Sequence, residues 1–349
     1  MVRSGRKGSG TNMRLSRSSA SLALLLAAAL SAQETTIRVD VSLVRVLATV
    51  KNPAGELVGS LNREDFTILD NGVPQTVSVF ERHTEQPLSI ALMVDTSGST
   101  AKELKYEVDS VSRFLRALFS EGNSNDAVAL YSFNYEVTRH NNFTRNHGSL
   151  EHSLKTFKGE AGTSLYDALY LGSQDLESRD GRKVVVIVTD GGDTTSSKDF
   201  HAAVESAQLA DAVIYPILVV PITNDAGRNI GGEHALATMA AWTGGRVFEP
   251  TVGAALDQAF ADILKDLRTQ YLLAFYPKDV PPSKDRFHRL EVSVRRPGLR
   301  VTARNGYYGE SEGGGRNSGK ASVFPQDNTR SKSGQTRRKE QLPRPRNNP

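Results

Sequence analysis

Between Ser89 and about Leu267, short apolar runs alternate with stretches of helical period, and this alternation constrains the fold more than any other feature. The runs are IALMV (Ile90–Val94), AVALYSF (Ala127–Phe133), VVVIV (Val184–Val188), VIYPILVV (Val213–Val220) and RVF (Arg246–Phe248). Uniformly apolar segments of this length suit strands covered on both faces. Between the runs, sets such as Leu104, Val108, Val111, Leu115 and Leu118 share one helical face. Strand and helix in alternation predict an α/β fold of parallel strands with crossover helices on both sheet faces. Ligands of such a sheet belong at the carboxyl ends of its strands.

The flanks follow a different period. Ile37, Val39, Val41 and Leu43 alternate with polar residues, and Val44, Val46, Ala48 and Val50 continue after a slip that predicts a bulge or break. DNG (Asp70–Gly72), between FTIL and TVSVF, predicts a hairpin. From Gln270 to Tyr308 the chain is strand-like again, through YLLAFYP, Leu290, Val292, Val294 and LRVTAR. Neither flank has enough strands to be stable alone. The expected organisation is therefore an α/β domain (residues 88–268) inserted into a small β-sandwich built from residues 33–87 and 269–310.

The two ends differ from the body in composition and charge. Arg14 and Arg17 precede the apolar run Ser21–Leu30, and the small residues Ser31 and Ala32 follow, so residues 1–32 read as a secretory signal, with retention as an uncleaved anchor the alternative. Residues 311–349 are poor in apolar side chains and read as a disordered basic tail. The tail's GGRNSGKA (Gly314–Ala321) is no phosphate loop, because Ala321 stands where a magnesium-holding hydroxyl is needed. The two ends contribute fourteen of the 43 basic residues and three of the 39 acidic ones, so the body has seven more acids than bases. An acidic body argues against a nucleic-acid partner. Export to the periplasm or the exterior is expected, with no stable membrane span after signal cleavage. Nothing in the pattern specifies an oligomeric state.

Chemistry concentrates at strand ends. The first parallel strand ends in DTSGST, presenting Asp95, Ser97 and Ser99; GTSLYDAL opens a helix with Thr163 and Ser164; and the VVVIV strand leads to Asp190, Gly191 and Gly192. The chain has no cysteine, and its seven histidines, expected on the surface, show no HExxH spacing. An all-oxygen set selects a hard cation, magnesium first, then manganese or calcium. Singly, a Ser or Thr after a strand also caps the next helix, and Asp-Gly-Gly also turns the chain. Asp167 and Asp193 are read in that way, as hydrogen-bonders at helix starts.

The five positions Asp95, Ser97, Ser99, Thr163 and Asp190, in this strand order, resemble the metal-ion-dependent adhesion site of von Willebrand factor type A domains. The resemblance spans about Leu88 to Leu267, and the flanks DFTILDNGVPQTVSVF and RPGLRVTARNGYY are similar to a bacterial VWFA-related family often described from acidobacteria. It implies a doubly wound, mostly parallel six-stranded sheet of order 3-2-1-4-5-6, with an antiparallel edge strand near Tyr135 to His140. Ser97, Ser99 and Thr163 would be direct hydroxyl ligands, and Asp95 and Asp190 would act mostly through water. Pro216, inside an interior strand, predicts a bulge. Neutral hydroxyls leave a magnesium ion much of its charge, so the implied activity is capture of a partner protein's Asp or Glu. The competing chemistry is a magnesium-dependent phosphatase-like hydrolase using Asp95. It lacks the required acid two residues on, where Ser97 stands. No G-x-S-x-G elbow supports a serine hydrolase.

Overall fold

The computed structural model describes residues 43–82, 86–98, 100, 104–219, 229–250, 254–281 and 286–309. The expected signal segment, the tail, the strand pattern before residue 43 and Ser99 lie outside them. In the N-terminal flank the alternating pattern forms β1 (Val44–Lys51), β2 (Phe66–Asp70), β3 (Val73–Gln75) and β4 (Val79–Arg82). Asn71 (φ 48°) and Gly72 (φ 81°) turn β2 into β3. This left-handed backbone is open to Asn and Gly at small cost, which is why DNG turns here. The hairpin differs from expectation in its second arm. Only Val73–Gln75 pairs with β2, and the chain then leaves for another sheet, where β4 pairs with β10 (Tyr271–Phe275).

The α/β layer has five hydrogen-bonded strands, β5 (Leu88–Asp95), β6 (Ala127–Phe133), β7 (Val137–Thr144), β8 (Arg182–Thr189) and β9 (Ala212–Leu218), in the order β7-β6-β5-β8-β9. All pairs are parallel except β6–β7, so the edge strand is antiparallel. All eight residues of β5 are buried, as its apolar run requires. Ile90, Leu92 and Val94 enter one core with α1 (Leu104–Glu121), α2 (His147–Leu154) and α6 (Ala254–Thr269). Ala91 and Met93 face the other core with α3 (Leu165–Glu177), α4 (Phe200–Leu209) and α5 (Ile230–Thr243).

Two expectations fail here. The sixth strand is reduced to a single parallel bridge, Ile217 to Phe248. RVF is only three residues long, and Pro250, which has no N–H to donate, follows directly after Glu249. Pro216 causes no bulge, since β8 and β9 pair without a register shift through Ile187–Pro216. The carbonyl of Pro216 accepts from Phe248 N at 2.8 Å, so its backbone faces away from β8 and the missing N–H costs that ladder nothing.

The flanks interleave. One sheet runs β12-β1-β10-β4 and the other β13-β11-β2-β3, with β11 (Phe287–Val294), β12 (Arg300–Ala303) and β13 (Gly306–Tyr308) from the C-terminal flank. Each sheet thus holds two strands from each flank. Both sheets contribute to one core, including Val46, Ala48, Phe66, Ile68, Tyr271, Leu273 and Leu290. Phe66 and Tyr271 sit 5.1 Å apart between ring centres, a tilted pair contributing about 0.5–1.5 kcal/mol beyond its area. Only Gln270 separates α6 from β10, and its buried amide donates to Tyr215 Oη at 2.9 Å, joining the α/β layer to the sheets. No described helix is long and apolar enough to cross a membrane.

Candidate metal centre

Asp95 is the last residue of β5, at the carboxyl edge of the parallel sheet. Beyond it the chain turns tightly. Asp95 Oδ1 accepts from Ser97 N at 2.8 Å, and the Thr100 hydroxyl donates to the Asp95 and Ser97 carbonyls. Short polar side chains that bond their own backbone produce such turns. Thr96 anchors the turn to β6, donating to the Phe133 carbonyl through both its N–H and its hydroxyl.

Two further loops close on this turn. Glu160 N donates to Thr96 O at 2.9 Å, which brings the 160–164 loop against Ser97. Thr163 is then tied to the loop after β8, its N–H donating to Thr194 Oγ1 at 2.9 Å and its carbonyl accepting from Thr194 N and Thr195 N. Among the described residues no hydrogen bond engages the Thr163 hydroxyl. Gly191 (φ 93°) follows Asp190, and a Cβ on Gly232 would lie 1.5 Å from the Gly191 carbonyl, so α5 can approach this loop only through glycine.

The structure therefore brings Asp95, Ser97, Thr163 and Asp190 to one sheet edge, with Ser97 touching Asp95 and Asp190 acting on it electrostatically. Ser99 lies outside the described residues. Thr189, which the sequence reading missed, donates to Asp95 Oδ2 at 2.7 Å and is buried. Its signal was a hydroxyl ending the VVVIV run next to Asp190. Asp193 accepts from Tyr166 N at the start of α3, and Asp167 takes Ser197 N and Lys198 N, so both hold backbone as expected.

Burial pushes the Asp95 carboxyl up to about 6; hydrogen bonds from Thr189 and Ser97 oppose the rise and the Asp190 charge adds to it. No described Lys, Arg or His pairs with it. The surroundings are hydroxyls, backbone amides and carboxylates, and no group of three or more His, Asp or Glu side chains gathers in metal-binding geometry among the described residues. A cation held here would rely on hydroxyl oxygen as much as on carboxylate. This oxygen-only donor set fits magnesium or manganese.

Residues 90–192 match the family model of the von Willebrand factor type A domain. The chain contains a von Willebrand factor type A domain. Among solved structures this chain is similar to a serine-substituted aerotolerance-related membrane protein from Bacteroides fragilis, at 18% identity and a TM-score of 0.40 over 52% of this chain and 98% of that one. It is also similar to the vWF domain of the type V pili tip protein Mfa5 from Porphyromonas gingivalis, at 15% identity and a TM-score of 0.44 over 52% and 94%. The PilB minor pilin from Streptococcus sanguinis is matched at 14% identity and a TM-score of 0.42 over 53% and 62%. A comparison with curated proteins finds no match. The matched residues include Asp95, Ser97, Thr163 and Asp190.

Proposed function

We propose that this chain is an exported protein-binding module whose type A domain holds a divalent cation and through it captures an acidic residue of a partner protein. Asp95, Ser97, Ser99, Thr163 and Asp190 would hold magnesium, or manganese in its place and calcium less readily. Bound there, the ion supplies positive charge and an open coordination position for a carboxylate. The observation that carries the reading is Asp95, a fully buried carboxyl pushed up to about 6, with a second carboxylate nearby and no described Lys, Arg or His paired with either. A buried carboxylate without a counter-charge is costly, and a metal ion removes that cost.

The chain's own residues do the remaining work. The Thr96 and Thr100 bonds fix the Asp95–Ser97 turn, the Thr194 and Thr195 bonds fix Thr163, and Thr189 orients one oxygen of Asp95. We read the paired four-stranded sheets as a β-sandwich into which the type A domain is inserted, giving the site a rigid base. The hydrolase alternative has no support, since Ser97 stands where phosphoryl transfer needs an acid. Titration calorimetry of the full chain with magnesium and manganese tests the proposal. Saturable 1:1 binding lost in Asp95→Ala, with chelator-sensitive binding of an acidic peptide, is expected. Equal metal affinity in the two proteins overturns it.

A further inference from the structure

At the opposite end of the parallel sheet lies a cavity of about 40 Å³ where β8 and β9 begin, facing β1 and β10 of the paired sheets and Arg304, which follows β12. That is room for about three water-sized groups. Arg45, Arg182, Lys183 and Arg304 line it, against the single carboxylate of Asp211.

Part of this charge is already used. Arg182 donates through Nη1 to the Leu267 carbonyl in the last turn of α6, and Lys183 donates to the Glu177 carbonyl at the end of α3, at 2.8 Å. Both are favourable positions for cations at helix C-termini. Arg304 pairs with Asp211 at 2.6 Å.

Two of the remaining donors have no acceptor among the described residues. Arg182 and Arg304 are 5% and 8% exposed, and the Nε of each is buried without a hydrogen-bond partner. A buried donor left unmade costs about 1–3 kcal/mol. Arg45, on β1, forms no hydrogen bond or ion pair with any described residue. Burial lowers the Lys183 pKa; the neighbouring Asp211 opposes that effect and the Arg45 charge adds to it, so like charges crowd here.

We propose that this cavity binds a small tetrahedral dianion, phosphate or sulfate, between Arg45 of β1 and Arg182 and Lys183 of β8. Four cations against one carboxylate favour a dianion over a monoanion. The planar arginine fork matches an oxyanion's paired oxygens, and charge-assisted bonds of this kind are about twice as strong as neutral ones. A cavity this size has room for a small anion. The bound anion would join the type A domain to the paired sheets, at the edge remote from Asp95, so the proposal does not depend on the metal reading.

Titration calorimetry of the full chain with inorganic phosphate, in chelator, is the test, with sulfate and acetate as further arms. Expected are saturable 1:1 binding of phosphate and sulfate, weaker binding of acetate, and at least about a tenfold loss of phosphate affinity in Arg45→Met or Lys183→Gln at unchanged circular dichroism. Arg45 and Lys183 are only half-buried, so these variants retain the core, and the basic tail is the same in every sample. Absence of saturable phosphate binding, or unchanged affinity in both variants, overturns the proposal.

Discussion

Asp70 and Asp95 are both 0% exposed and each ends a strand, β2 and β5, yet their surroundings differ in kind. Asp70 is enclosed by side chains from distant parts of the chain. Tyr307 Oη donates to its Oδ2 at 2.6 Å, and His288 Nδ1 lies 3.0 Å from Oδ1. Among the described residues, Asp95 has the residues of its own turn, Thr189 on the next strand, and a second carboxylate nearby. A buried carboxylate supplied with partners by remote strands ties those strands together. One left among hydroxyls and like charge lacks that compensation, which is why the proposed metal site centres on it.

The largest effect should come from removing the satisfied carboxylate. Asp70→Ala removes the carboxylate shared by the buried Tyr307 hydroxyl and the half-buried His288, and with it the side-chain tie from β2 to β11 and β13. Losing one partner of a buried charged network costs about 3–5 kcal/mol. Urea denaturation should show this loss with no change in metal affinity. A loss below about 1 kcal/mol would erase the distinction between the two aspartates.

Next is the pH response of metal-free protein. Asp95 titrates near 3.8 when unfolded and at about 6 when folded. Between those values the folded state holds the proton and the unfolded state has released it, so stability falls as pH rises from about 4 to about 6. The full change is on the order of 3 kcal/mol. Urea unfolding in chelator should show the decline in the native chain and not in Asp95→Asn, the difference between the two isolating this group. Magnesium should restore stability above pH 6. Identical pH profiles for the two proteins would place Asp95 in a compensated environment like that of Asp70.

Smaller again is Tyr307→Phe, which deletes one hydroxyl at the closed cluster. The bond lost is buried and goes to a carboxylate, so about 1.5–3 kcal/mol should disappear from the urea midpoint.

Legibility in the sequence followed how each region is buried. The four parallel α/β strands, β5, β6, β8 and β9, are covered on both faces, so their apolar runs marked them to within a few residues, Ala127–Phe133 without any shift, whereas the edge strand β7 has no buried residue and was expected only from the family resemblance. In the paired sheets, period two located β1 and β11, the DNG turn located β2, and the run YLLAF, buried throughout, located β10, but none of these signals said that β4 leaves its hairpin for the other sheet. That choice is made by the packing of Phe80 with Phe66 and Tyr271, residues far apart in the chain. At the candidate site, strand ends pointed to Asp95, Ser97, Thr163 and Asp190, whereas Thr189 was hidden as the polar end of an apolar run. Histidines expected on the surface proved engaged. His140 is 2.8 Å from Ser132 Oγ and burial lowers its pKa, and His288 joins Asp70. Long-range polar pairs leave no local period to read.

The smallest stability effect sharpens the comparison furthest. Thr163→Val deletes a hydroxyl, as Tyr307→Phe does, from a residue that is likewise buried. The Thr163 hydroxyl takes part in no hydrogen bond with a described residue, while its N–H and carbonyl, which Val retains, make the bonds to Thr194 and Thr195. Deleting a hydroxyl without a protein partner leaves nothing stranded, and valine keeps the branched shape, so stability should change by less than about 0.5 kcal/mol. Magnesium affinity should nevertheless fall by about tenfold or more, because the proposed function makes this hydroxyl a direct ligand. Calorimetry beside urea denaturation on the same sample reads both quantities. A stability loss matching that of Tyr307→Phe, with metal affinity unchanged, would make the Asp95 edge a structural cluster of the same kind as the one around Asp70.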